Sequence, residues 1–170
     1  MAGNDKQRSA IVALVVALVV VAPALVVAGC GSSAGTAGSA APSLQGTTLA
    51  GSTFDLAATR GTPTVVNFFA SWCGPCNLEA PEVVAFAAAH PDVQVIGVAT
   101  GDKTADTQAF ATKYGVTYSV VLDADGAIAS AWGVKGIPTT FFIDRTGKVR
   151  DSILGSSTLA QFEAKVATIR

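Results

Sequence analysis

Phe68-Phe69-Ala70-Ser71-Trp72-Cys73-Gly74-Pro75-Cys76-Asn77-Leu78-Glu79-Ala80-Pro81 decides how the rest of the chain is read. An apolar, β-type run, Thr64 to Phe69, ends where a helix-compatible stretch begins, with two cysteines at the junction. Cys73 falls at the helix N-terminus, where unpaired N–H groups and the helix dipole favour a thiolate. Cys76, about one turn on, is within reach to close a disulfide. Pro75 suits the first turn, where its missing N–H costs nothing. Pro81 falls in the helix interior and should kink it.

At these residues the chain resembles the thioredoxin family. Trp72-Cys73-Gly74-Pro75-Cys76 is that family's active-site motif as it stands, followed by the kinking Pro81. Gly136-Ile137-Pro138-Thr139-Thr140-Phe141 is similar to its cis-proline loop. The frame resembles the membrane-anchored extracytoplasmic branch, the TlpA/ResA/DsbE-type redoxins. It is carried by Gly61-Thr62-Pro63-Thr64-Val65-Val66-Asn67-Phe68, by Glu79-Ala80-Pro81 and by Phe142-Ile143-Asp144-Arg145-Thr146-Gly147-Lys148-Val149. The resemblance runs from Leu44 to the C-terminus.

The chain has 170 residues, room for one domain and a short appendage. Its 11 basic and 12 acidic residues nearly cancel, which gives no sign of nucleic-acid binding or an acidic substrate. Removing the first thirty residues takes away Asp5, Lys6 and Arg8 and leaves 9 basic and 11 acidic residues, a mildly acidic surface.

Met1 to Ala10 is polar and carries Lys6 and Arg8, and Ile11 to Ala28 is almost wholly apolar. That is the plan of a secretory signal. It ends Val27-Ala28-Gly29-Cys30, which resembles a bacterial lipobox, so residues 1–29 read as a lipoprotein signal and Cys30 as the lipid-bearing N-terminus. The alternative is an uncleaved signal anchor, since about eighteen apolar residues nearly span a bilayer. Both readings place the domain outside the cytoplasm, on the membrane face. Gly31 to Ser43, built of Gly, Ser, Ala, Thr and Pro, reads with Cys30 as a flexible tether (30–43). It would have an r.m.s. span of about 20 Å. The domain is then 44–170.

Within it, Leu44 to Phe54 suggests a hairpin and Leu56 to Arg60 a turn of helix. Strands are expected at Thr64–Phe69, Val93–Ala99, Val120–Leu122, Thr139–Ile143 and Val149–Leu154. Helices are expected at Cys73–Ala89, Lys103–Tyr114, Ala124–Trp132 and Ser157–Ile169, the last capped by Ser157 or Thr158. Asp144-Arg145-Thr146-Gly147 marks a hairpin turn. Periodicity alone gives an α/β protein with one sheet. The resemblance implies the thioredoxin fold: a central mixed sheet flanked by helices, an N-terminal hairpin extension, and an inserted helix between the second and third central strands.

Cys73 and Cys76 admit three readings: a structural disulfide, a metal site or a redox pair. Gly-Pro between cysteines at a helix start argues against the first. A tetrahedral zinc site needs about four ligands, and the lone His90, at an expected helix end, offers little help. The pair is therefore read as redox-active, with Cys73 attacking and Cys76 resolving. Trp72 is either simple core filling or, as the resemblance implies, a flat apolar wall beside Cys73, with Gly74 and Pro75 completing the substrate-facing surface. The resemblance places cis Pro138 against the disulfide, with Ile137 offering backbone groups to an extended client.

Asn67 departs from cytoplasmic thioredoxin, which carries a buried acid there. Glu79, three residues after Cys76 and beside apolar Leu78 and Ala80, is the candidate to exchange a proton with Cys76. The bland alternative is a solvated surface glutamate.

The reading is a monomeric, extracytoplasmic thiol–disulfide oxidoreductase without bound cofactor or metal. Its partners would be protein thiols or disulfides and a membrane-embedded thiol electron donor or acceptor. The resemblance implies a reductant for apocytochrome c or copper-protein thiols, with disulfide donation as the alternative. A peroxidase would need a threonine or serine at Ala70 and a proline at Val66. A copper chaperone would need wider cysteine spacing and a downstream histidine.

Overall fold

The computed structural model describes residues 35–170. The expected signal segment, Cys30 and the first part of the tether lie outside the described residues. In chain order, β1 (Gln45–Thr47) and β2 (Thr53–Asp55) form an antiparallel hairpin. A 3-10 turn (Leu56–Thr59) leads into β3 (Thr64–Phe69), α1 (Gly74–Ala89) and β4 (Gln94–Thr100). There follow α2 (Thr104–Tyr114), β5 (Ser119–Asp123), α3 (Ala127–Ala131), β6 (Thr139–Ile143), β7 (Val149–Leu154) and α4 (Leu159–Val166).

The sheet has the order β5-β4-β3-β6-β7. The β5-β4-β3 half is parallel and the β3-β6-β7 half antiparallel, so β3 is central. This is the thioredoxin-type α/β sandwich. Every residue of β3 is buried, as a β-branched and aromatic strand covered on both faces should be. Successive side chains alternate between faces. Val66 and Phe68 join a cluster with Trp132, Phe141, Ile96 and Leu44. Val65 and Phe69 serve the α1 side, with Val83 and Phe86 in one cluster and Cys76 and Ala80 in another. By the same alternation Asn67 is the one polar residue of β3 on that face between them.

The helix insertion brings its own strand. α2 carries the chain from β4 to β5, which lies parallel to β4 at the sheet margin. Gly115 ends α2 in a left-handed conformation, φ 66°, which glycine adopts without steric cost. Both sheet margins are partly covered. Leu49 donates its N–H to the Val120 carbonyl on one side, and Gly38 donates to Val149 on the other. Such cover blunts edge strands as pairing templates.

The stretch read as tether differs from expectation from Gly35 onward. Gly35 donates to the Trp132 carbonyl, Ser39 accepts from Val149, Ala41 donates to Gly147, and the Trp132 indole donates to the Ser43 carbonyl at 3.1 Å. Part of the cause is the outer edge of β7, where the Val149 carbonyl and N–H pair with Gly38 and Ser39. Small residues that resemble spacer serve as edge cover.

Among the described residues no helix is long and apolar enough to cross a membrane.

Candidate functional site

The C-terminal end of β3 delivers Ser71, Trp72 and Cys73 to the start of α1. Cys73 is the N-cap, in extended conformation, and its Sγ accepts from the Cys76 N–H at 3.2 Å. A sulfur thus takes the place that a serine or aspartate oxygen takes in an ordinary cap. Pro75 stands in the first turn, where it leaves no donor to satisfy. Cys73 and Cys76 are bonded as a disulfide, Cα atoms 5.2 Å apart, and both are buried. Gly74 and Pro75, by contrast, are exposed.

The loop before β6 closes over the pair. The Ile137–Pro138 peptide is cis, and the Ile137 carbonyl oxygen lies 3.6 Å from Cys73 Sγ. Ser156, after β7, donates its hydroxyl to the Pro75 carbonyl. Trp72 is 65 % exposed; its indole N–H donates to the Gly101 carbonyl at 3.0 Å, which ties the ring to the loop after β4. It fills no core.

Glu79 is 2 % exposed. Its two oxygens accept from the Asn67 side-chain amide and the Ser157 backbone N–H, each at 2.9 Å. Asn67 spends its second amide hydrogen on Thr140 Oγ1 at 2.9 Å. Burial pushes the Glu79 carboxyl up to about 7; the bonds from Asn67 and Ser157 pull the other way without prevailing. Glu79 is therefore a buried acid and no surface glutamate. The apolar company read from Leu78 is not its cause. The inward face of α1 is Cys76, Glu79, Ala80, Val83 and Phe86, so Leu78 points outward and is 77 % exposed.

Tyr118, on the loop before β5, packs over Gly97, whose absent side chain leaves room for the ring. Its phenol is pushed well above the usual range by burial and by the nearby Glu79 charge. It stays protonated through the neutral range.

Three contributors escape sequence reasoning. Asn77 donates its side-chain amide to the Ser71 and Cys73 carbonyls, at 2.8 and 2.9 Å. Asp102 accepts from Ser71, and Ser157 supplies the donor to Glu79. A signal exists for two of them. Asn77 is four residues from Cys73 on one helix, and Asp102 follows the C-terminal end of a parallel strand, where α/β sites gather.

His90 caps the C-terminus of α1, but its side chain is not an exposed cap. Its ring packs on Phe86, and it joins Glu163 and Arg170 of the C-terminal segment. Among the described residues no three His, Cys, Asp or Glu side chains converge to hold a metal ion.

Residues 36–166 match the family model described as Redoxin. The chain is 31 % identical over 135 residues to the thiol-disulfide oxidoreductase ResA of Geobacillus thermodenitrificans, covering 78 % of each. Among solved structures, a DsbE-type thiol:disulfide interchange protein from Chlorobium tepidum matches with a TM-score of 0.73 and 30 % identity, over 79 % of this chain and 99 % of that one. A secreted disulfide oxidoreductase of Mycobacterium tuberculosis matches with a TM-score of 0.68 and 32 % identity, over 73 % and 94 %.

Proposed function

The chain belongs to the redoxin family, and from that premise we propose how it acts as a thiol–disulfide oxidoreductase: it reduces disulfides in proteins outside the cytoplasm through Cys73 and Cys76. The observation that carries this reading is the Cys73–Cys76 disulfide at the N-terminus of α1, beside the Ile137 carbonyl and a turn from buried Glu79.

In the reduced protein the Cys73 thiolate attacks one sulfur of a client disulfide. A mixed disulfide forms, and the other client sulfur leaves as a thiolate and takes a proton. Cys76 then gives its proton to the Glu79 carboxylate and attacks Cys73 Sγ, releasing the second client thiol. Two electrons pass to the client, and the Cys73–Cys76 disulfide remains. A dithiol donor embedded in the membrane would reset it. Ile137, ahead of the cis bond, would pair its backbone with an extended client, and Trp72, Gly74 and Pro75 would form the surface beside it. Apocytochrome c and copper-protein thiols are client classes that fit this chemistry. The N-terminal segment would hold the domain at the membrane through lipid on Cys30.

Reduction of a disulfide-bonded test protein by the prereduced domain tests the reading. Cys73→Ser should abolish turnover, and Cys76→Ser should accumulate mixed disulfides with clients. Turnover that survives Cys73→Ser would overturn it.

A further inference from the structure

The loop that follows β4 is fastened to the segment that precedes Cys73. Asp102 is 6 % exposed. It accepts from the Ser71 N–H at 2.7 Å, the Ser71 hydroxyl at 2.9 Å and the Lys103 N–H at 2.9 Å. The three donors occupy both carboxyl oxygens. Beside it the Trp72 indole holds the Gly101 carbonyl. At the other end of α2 the Tyr114 hydroxyl donates to Asn77 Oδ1 at 2.8 Å, and Asn77 in turn holds the Ser71 and Cys73 carbonyls. The β4–α2–β5 unit thus grips the redox segment on both sides of Cys73.

We propose that Asp102 is a positioning residue for the redox pair: it fixes the segment that presents Cys73, and its buried negative charge biases the pair toward electron donation. This rests on the reductant reading above and deepens it. Asp102 touches no reacting sulfur. It acts through the backbone N–H of Ser71, which stands two residues before Cys73.

The physical argument is one of opposed fields. The N-terminus of α1 and the Cys76 N–H stabilise a Cys73 thiolate. A fixed anion bound two residues away works against it. The other charged groups nearby are Glu79 on α1, Lys103 beside Asp102, and Lys113, whose Nζ lies 3.5 Å from Asn77 Oδ1. Of the two acids only Asp102 is tied to the backbone leading into Cys73. Destabilising the thiolate destabilises the reduced form, and a less stable dithiol gives up electrons more readily.

The test is equilibration of purified variants with glutathione buffers, together with ultraviolet titration of the Cys73 thiolate. Asp102→Asn should move the equilibrium toward the dithiol about tenfold, or about 30 mV more positive, and should lower the Cys73 pKa. Asp102→Glu, which keeps the charge, should stay within about threefold of the unsubstituted protein. Ser71→Ala removes one bond and keeps the charge, so it should move neither quantity. If far-ultraviolet dichroism shows Asp102→Asn unfolded, Asp102→Ser carries the same expectation, since serine can still accept from the Ser71 N–H. An unshifted equilibrium in the folded Asp102 variant would overturn the inference, and so would an equal shift in Ser71→Ala. The potential of the unsubstituted protein tests the reductant reading separately. A disulfide donor's potential combined with a tenfold shift in Asp102→Asn would sink that reading and keep the role of Asp102.

Discussion

Asn67 donates its side-chain amide to the Glu79 carboxyl at 2.9 Å, across the interface between the central strand and α1. An amide cannot titrate, so the proton capacity of this buried pair sits on the helix. With its carboxyl raised to about 7 by burial, Glu79 exchanges a proton readily at neutral pH. Glu79→Gln should slow turnover by about 10²-fold and remove a step near neutrality from the pH–rate profile. An unchanged profile would leave Glu79 a structural role only.

The same residue imposes a pH dependence on stability. Its folded value of about 7 stands above its ordinary 4.5, so between those values the folded state keeps a proton that the unfolded state loses. Stability then falls as pH rises through that window, by about 3 kcal/mol in all. Denaturant melts of the oxidised protein at pH values either side of the window measure it. Glu79→Gln should flatten the curve there.

Cys73 and Cys76 differ in one respect that matters to reactivity. Cys73 Sγ takes an N–H at the helix start, whereas Cys76 lies one turn inside the helix. In the reduced protein Cys73 should alkylate at least about tenfold faster at neutral pH, because the helix N-terminus favours its thiolate. Mass spectrometry of singly modified protein would read the ratio. Equal rates would argue for a structural bridge.

The central strand, the helix positions and the Trp72–Cys76 motif are legible in the sequence because each has a local cause: β-branched alternation, a proline at a first turn, a cysteine at a cap. The burial of Glu79 follows from its helical spacing to Cys76 and owes nothing to Leu78, which faces out. Asp102 and Ser157 stay hidden because each reaches the site from a distant segment. No local spacing encodes the Asp102–Ser71 bond, 31 residues apart, or the Ser157–Glu79 bond, 78 apart. The small residues from Gly35 to Ser43 resemble spacer because their edge cover is made through backbone groups.

Trp132 carries that edge cover. Its ring lies 5.5 Å from Phe68 and 5.1 Å from Phe141 between centroids, and its indole N–H anchors the Ser43 carbonyl. Trp132→Ala should cost about 3–5 kcal/mol and should also loosen residues 35–43. Hydrogen exchange would show the Val149 amide, which donates to Ser39, losing protection along with the core. A loss confined to the core would detach the segment from Trp132.

Lipid attachment at the N-terminus is open to direct measurement. If Val27-Ala28-Gly29 is a lipobox, mass spectrometry of the mature protein should find a diacylated Cys30 with no residue before it. A membrane-bound form that retains Met1 would favour the signal anchor.

The direction of electron flow can be argued from the charges around the pair. Gly74-Pro75 separates the cysteines without the histidine that helps stabilise the thiolate in strong oxidants. Two buried acids, Glu79 and Asp102, stand close to the pair, and no basic side chain is buried among the described residues. Against them work the helix N-terminus and the Cys76 N–H, which stabilise the reduced form. Thioredoxin has the same motif at its helix start and is still a reductant, so the cap alone does not make an oxidant. The potential should therefore lie nearer about −250 mV than the roughly −120 mV of a strong oxidant, a gap of roughly 6 kcal/mol for two electrons. Equilibration with glutathione followed by thiol quantification measures it. A potential more positive than about −180 mV would make the domain a disulfide donor and turn the proposed reaction round.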